Sequence, residues 1–298
     1  MKIKNLLLFG SLTATLVTLS ETVLATTISV QLPYNKFGHV WNTDNGTSTG
    51  AGVGYCAPTA TVNSFKFLEN MYPNVYDNKL TKGDIIKTRN DLVGLMGTCP
   101  DTGTQPQNWW QGKIQWIEDN APGRTSYGGM VMPSIDVSTW NKKDLLSNTF
   151  PAFNWLFQQL KDGEDVELGI YGSFGGHALT LTSLKFVDSM DGSSFQNGIW
   201  DPSVELAQID YLDPNNPTQL FWSDLSLNPD GSLGFLWNNG GANPPKNAYI
   251  GLAFKESPIP EPSSILGLFA LGTLGAASTL KRKLKPSQST AKETTKVG

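Results

Sequence analysis

The chain has 298 residues, 39% of them apolar and 10% aromatic, which supports a packed core and excludes a mostly disordered protein. Charged residues are only 16% of the total, and residues 26–257 carry 14 Lys and Arg against 23 Asp and Glu, a net charge of −9. A body that acidic has no electrostatic basis for binding nucleic acid. Two Cys exclude a disulfide scaffold, and two His exclude a His-rich metal centre.

The first 25 residues read as a cleavable signal peptide. Lys2 and Lys4 give a positive start, Leu6 to Leu19 a mostly apolar stretch, and Val23-Leu24-Ala25 a signal-peptidase site. The body that follows, residues 26–257, has the size of one domain. Thr27–Leu32 alternates Ile28, Val30 and Leu32 as a strand does, and a Gly/Thr/Asn-rich loop then leads to Cys56. From Pro58, Val62, Phe65, Leu68 and Met71 recur at the spacing of one buried helix face. Further helices are expected over Thr81–Leu95, Pro106–Asp119 and Pro151–Lys161. Trp109, Trp110 and Trp116 share a helical spacing that points to the core rather than to a glycan platform.

After Gly163 the period changes to that of strands. Val166–Ile170 alternates, as does Leu179–Phe186, with a phase slip at Ser183 that suggests a bulge. Ala207–Leu212, Leu220–Leu225, Leu233–Trp237 and Tyr249–Phe254 complete the set. Helices followed by strands predict an α+β fold, with N-terminal helices packed on a C-terminal antiparallel sheet.

One constellation suits nucleophilic chemistry, which needs a thiolate, an imidazole to take its proton and a group that orients the imidazole. Cys56 stands between a Gly-rich loop and a helix start, where free N–H groups lower a thiol's pKa. His177 lies in GGHALTL at the head of a strand, and Asp213 ends a later strand in YLDP. Asp201 in WDPS is the alternative acid. Cys56 paired with Cys99 in a disulfide is the competing reading in an oxidising compartment, since Cys99 has no base context. His39 reads as a loop or edge residue. Asp188, Asp191 and Asp230 lie near Gly, but no EF-hand loop is present, so neither a metal nor a cofactor is expected.

In GYCAPTATVNSF, GGHALTL and the strand ending in DP, residues 30–254 resemble the papain-like cysteine peptidases, closest to the double-glycine (bacteriocin-processing) peptidase-like group. The resemblance implies Cys56 as nucleophile, His177 as general base, Asp213 as orienting acid and a peptide or protein as substrate. Two positions depart from the family pattern: Ala57 replaces the usual Gly, and Gly50 stands where the family has an oxyanion Gln. Gln31, Asn42 and Asn45 are the candidates to replace that amide. A non-catalytic surface or matrix protein on the same fold is the alternative function, and a transglutaminase-like cross-linker would use the same three groups.

The C-terminal stretch, residues 258–285, holds Pro260-Glu261-Pro262, an uncharged run from Ser263 to Leu280 long enough for a transmembrane helix, and a basic cluster at Lys281-Arg282-Lys283. The ordered trio resembles the PEP-CTERM sorting signal, in which an exosortase acts near the Pro-Glu-Pro. With the N-terminal signal it implies an exported protein that meets signal peptidase, the inner membrane and an exosortase before reaching the cell surface, and the body without its two apolar ends is expected to be a monomer. Residues 286–298 read as a polar, disordered tail.

Overall fold

Alternating side chains give the first strand, β1 (Thr27–Gln31), in which Ile28 and Val30 are half-buried and Ser29 and Gln31 exposed. The computed structural model describes residues 27–50, 52–187, 200, 206–241 and 244–259. The signal peptide, Asp188, Asp191, Asp201, Pro260-Glu261-Pro262, the apolar run 263–280 and the tail 286–298 lie outside the described residues.

Helix α1 (Cys56–Met71) buries Val62, Phe65 and Leu68 completely, while Met71 at its end is exposed. It starts ahead of the apolar repeat, because Pro58 in its first turn needs no N–H partner. A short α2 (Pro73–Tyr76) precedes α3 (Ile85–Leu95). The expected start of α3 at Thr81 is corrected: Lys82 and Gly83 have φ of 51° and 74°, which a right-handed helix does not admit. The helix begins after Asp84 instead, whose carboxylate caps the Lys87 N–H at 2.9 Å.

In α4 (Pro106–Asn120), Trp109, Trp110 and Trp116 are all buried, and each indole N–H is bonded at 2.8 Å, to Thr61 Oγ1, Asn141 O and Leu80 O respectively. They are core residues with their polar handles satisfied. The last helix is α5 (Phe153–Lys161).

The remaining strands are β2 (Thr125–Val131), β3 (Leu146–Ser147), β4 (Asp165–Gly172), β5 (Gly175–Val187), β6 (Ala207–Asp213), β7 (Asn216–Leu227), β8 (Leu233–Trp237) and β9 (Lys246–Pro258). Strands β4 to β9 pair antiparallel in sequence, and β4 also pairs with β9, so the six close into a barrel. β1 extends the sheet from β5, and β2 extends it from β9. The expected C-terminal antiparallel sheet is therefore corrected in extent: beside the expected strand β1, the unexpected β2 and β3 join it. Strands β1, β2 and β3 come from the helical half, and β3 runs parallel to β2. The phase slip at Ser183 is a register shift against β6 between Leu181 and Ser183.

Helices α1 and α5 pack on β4 and β5, which leaves β4 buried along most of its length. At the far end, β9 runs through Pro258, and the Ile259 N–H bonds Arg124 O at 2.8 Å. The described residues continue through 259, so β9 runs past the expected boundary at 257.

Candidate active site

Cys56 is the first residue of α1, with Tyr55 as its N-cap. The first four N–H groups of a helix have no intrahelical partner, so the Cys56 N–H is available to an anion. The loop before it is held by Gly54, whose N–H bonds Pro100 O at 2.8 Å. A Cβ there would stand 2.6 Å from that same oxygen. Residues Cys99 and Gly103 close the facing loop through two backbone bonds, of 3.1 and 2.8 Å.

Opposite the thiol stands His177, on β5, where it pairs with Ile170 of β4. Its Nε2 lies 2.9 Å from Asp213 Oδ1 at the end of β6. Asp213 is fully buried and has donors on both oxygens. The Asn215 N–H reaches Oδ1 at 2.8 Å, while Trp237 Nε1–H and the Gly240 N–H reach Oδ2 at 2.8 and 3.0 Å. Every one of these groups donates, which favours the ionised carboxylate. The Trp237 ring also covers the imidazole, with centroids 4.7 Å apart.

The electrostatics follow from that contact. Burial pushes the Cys56 thiol up, but the charge and hydrogen bond of His177 and the N–H groups of Ala178 and Ala57 outweigh it, and its pKa falls. Burial opposes a charged His177, yet Asp213 and Cys56 raise its pKa to about 10. Asp213 is likewise lowered: burial works against its charge, and His177 with the Asn215 and Trp237 donors prevails. All three directions favour a thiolate–imidazolium pair backed by a carboxylate, a pairing able to attack an electrophilic carbon and return a proton to the leaving group.

Two cavities meet at the thiol. One, of about 200 Å³, is lined by Cys56, Gln105, Trp109, Tyr171, Gly176 and His177. The other, of about 460 Å³, places Asn42 with Cys56, His177, Asn215 and Trp237. Asn42 is thus the oxyanion candidate that the fold brings to the site, with its Nδ2 donating to Asn215 Oδ1 at 3.1 Å.

The other two amides are elsewhere. Gln31 is an exposed residue of β1, and Asn45 is an exposed loop residue whose Oδ1 accepts from Thr47. His39 is bonded through Nδ1 to Pro217 O at 2.7 Å. Both cysteines are free, so the disulfide is not formed. Cys99 is not without influence on its thiol, since the Thr102 hydroxyl and nearby backbone N–H groups lower its pKa. Asp230 closes a turn by accepting from the Ser232 N–H and hydroxyl at 2.9 and 2.7 Å.

Sequence reasoning missed Trp237 and Gly240. The signal was present in FLWNNGG, where an aromatic ends a strand and two glycines permit a tight turn; Gly240 has a φ of 65°.

Among the described residues no helix is long and apolar enough to cross a membrane. No curated protein matches the chain. Residues 258–283 match the model of the PEP-CTERM protein-sorting motif, a stretch that begins at the last residue of β9. The chain is therefore an exported protein that carries a PEP-CTERM signal and is sorted by an exosortase.

Proposed function

We propose that the protein is an exported cysteine peptidase of the papain-like type. The observation that carries this reading is the chain Cys56–His177–Asp213, in which the acid's remaining acceptor sites are filled by Asn215, Trp237 and Gly240. A helix-borne cysteine facing a barrel-borne histidine is also the division of labour implied by the papain-like resemblance.

In this reading the Cys56 thiolate attacks a peptide carbonyl carbon. The developing oxyanion is met by the Cys56 N–H and the Asn42 amide. Because Nε2 is engaged by Asp213, the other ring nitrogen of His177 faces the thiol and gives its proton to the leaving amine as the C–N bond breaks. Water, deprotonated by the same nitrogen, then hydrolyses the thioester and frees Cys56.

The test is iodoacetamide labelling of the purified protein with each cysteine followed by mass spectrometry. An ordinary thiol of pKa about 8.5 gains about 80-fold in thiolate between pH 6 and pH 8. Cys56, ionised in this reading, should change by less than about twofold over that range. Cys99 is no simple control, given its own lowered pKa, so the decisive arm is His177→Ala. That change should restore a steep pH dependence at Cys56 and leave Cys99 unaltered. Labelling of both cysteines that ignores the His177 change would remove the catalytic reading and favour the binding protein.

A further inference from the structure

Charge divides the two cavities that meet at Cys56. Outside the catalytic pair, the cavity of about 200 Å³ is lined by neutral side chains alone, among them Gln105, Trp109, Tyr171 and Leu252. The cavity of about 460 Å³ carries Asp101, on the loop facing the nucleophile, and Lys246, the first residue of β9. The two are not within ion-pairing distance, and among the described residues no other carboxylate pairs with Lys246.

Lys246 owes its place to the ladder that also holds the catalytic acid. The register of β8 and β9 sets it opposite Trp237, whose indole N–H bonds Asp213 Oδ2 at 2.8 Å. Residues opposite one another in a ladder project from the same face of the sheet, so the lysine follows Trp237 into the cavity wall. Its ammonium stands 5.8 Å from the ring centroid of Trp237 and 5.8 Å from that of Phe174, within reach of cation–π attraction. The stem can lie along the rings while the exposed head keeps its charge open to a ligand.

The surrounding field gives this one cation its meaning. Residues 26–257 carry a net charge of −9, which at long range repels a substrate that bears carboxylates. The Trp237 ring centroid is in turn 4.7 Å from that of His177. Lys246 therefore acts on an anion at the catalytic pair across roughly 10 Å, where a unit charge in water is worth about a twofold change in local concentration. An anion bound beside the ammonium feels it more strongly.

We propose that Lys246 is a specificity-determining residue that binds a substrate carboxylate on the Trp237 side of Cys56. The carboxylate is an Asp or Glu side chain or the C-terminus of the peptide. The inference rests on the peptidase reading and names the substrate class for it. A charge held away from the scissile bond contributes equally to ground and transition states, so its loss raises KM and spares kcat.

Two measurements test this. The first compares alkylation of Cys56 by iodoacetate, an anion, and by neutral iodoacetamide, at low salt and about pH 9, where an ordinary thiol is also largely ionised. Lys246→Gln should slow iodoacetate about twofold and Lys246→Glu about fourfold, with iodoacetamide unchanged and the effect fading in about 0.5 M salt. Lys161→Gln, at the end of α5 and at the opposite end of β4 from His177, should change neither rate. The second measurement uses a synthetic peptide library in free-acid and C-terminally amidated forms, with cleavage sites read by mass spectrometry. A bound side chain should enrich Asp or Glu within about three residues of the cut in both forms, and a bound C-terminus should make cleavage fall on amidation. In either case Lys246→Gln should raise KM about two- to fivefold at constant kcat, the yield of one exposed ion pair. An iodoacetate rate that ignores both Lys246 changes, or cleavage indifferent to carboxylates in both libraries, would overturn the assignment and leave the peptidase reading standing. A Cys56 that neither reagent labels, or a library left intact, would overturn the peptidase reading and this inference with it.

Discussion

Replacing Asp213 by Asn tests the electrostatic logic of the site with a change of almost no volume. An Asn side chain can still accept from His177 through its oxygen, but its NH₂ group then faces Trp237 Nε1–H and the Gly240 N–H, two donors that now lack an acceptor. Each buried group left unpaired costs about 1–3 kcal/mol, so the variant should lose about 2–6 kcal/mol of folding stability. Urea unfolding followed by Trp fluorescence measures this.

The pH dependence carries a second signature. The depressed Asp213 carboxyl stabilises the fold above its unfolded pKa of about 3.9, and that contribution disappears as pH falls through the lower folded value. His177 contributes fully below about pH 6.5, and its share is lost as pH rises through about 10. In Asp213→Asn the counter-charge is gone, so the alkaline loss should move toward neutral pH. Adding Trp237→Phe deletes one of the stranded donors, and the double variant should be less destabilised than the sum of the two single changes by about 1–3 kcal/mol. An Asp213→Asn protein within about 0.5 kcal/mol of wild type, with an unmoved alkaline limb and additive behaviour with Trp237→Phe, would refute the four-donor account.

Asn42→Ala should lower kcat about 100-fold on any peptide substrate with little change in KM, because an oxyanion donor acts on the transition state; equal kcat would remove Asn42 from the site. Gly54→Ala places a Cβ 2.6 Å from Pro100 O, and the resulting shift should cost about 1–3 kcal/mol in thermal unfolding and alter Cys56 labelling. An unchanged melting temperature would show that the 99–103 loop is not held against the nucleophile loop. Replacing Pro260-Glu261-Pro262 by Ala should leave the unprocessed form on an immunoblot in a host with the sorting machinery, whereas normal processing would place the exosortase address elsewhere.

The elements that sequence made legible share strong local periodicity. α1 and the strands after Gly163 carry apolar residues at a regular spacing, and Asp213 was recoverable because a strand end and a Pro-turn are both local signals. β2 was not, since Gly128 and Gly129 break its pattern. Here the glycines serve close packing rather than a turn: a Cβ at Gly129 would stand 2.8 Å from Ala253 O. Barrel closure depends on β4 meeting β9 across about 80 residues, and no local pattern encodes that contact. The buried ion pairs of Lys113 with Glu167 and Glu256 were hidden for a different reason. Glu167, Lys113 and Glu256 sit on three separate elements, and a buried charge is spelled with the same letter as a solvated one.

The placement of β9 has a mechanical consequence. This strand pairs with β4 along its length, with β8 near its start and with β2 toward its end, where Ser257 faces Ser126 and Pro258 faces Thr125. The sorting motif begins at that same Pro258, so the described strand leads into it without an intervening linker. A pull directed along the axis of β9 would act across ladder bonds that run perpendicular to it. Such a ladder is loaded in shear, many bonds sharing the force at once, instead of being unzipped pair by pair. The sorting motif is thus joined directly to one of the most heavily bonded strands among the described residues, and a load along that strand is carried by the barrel's own ladders.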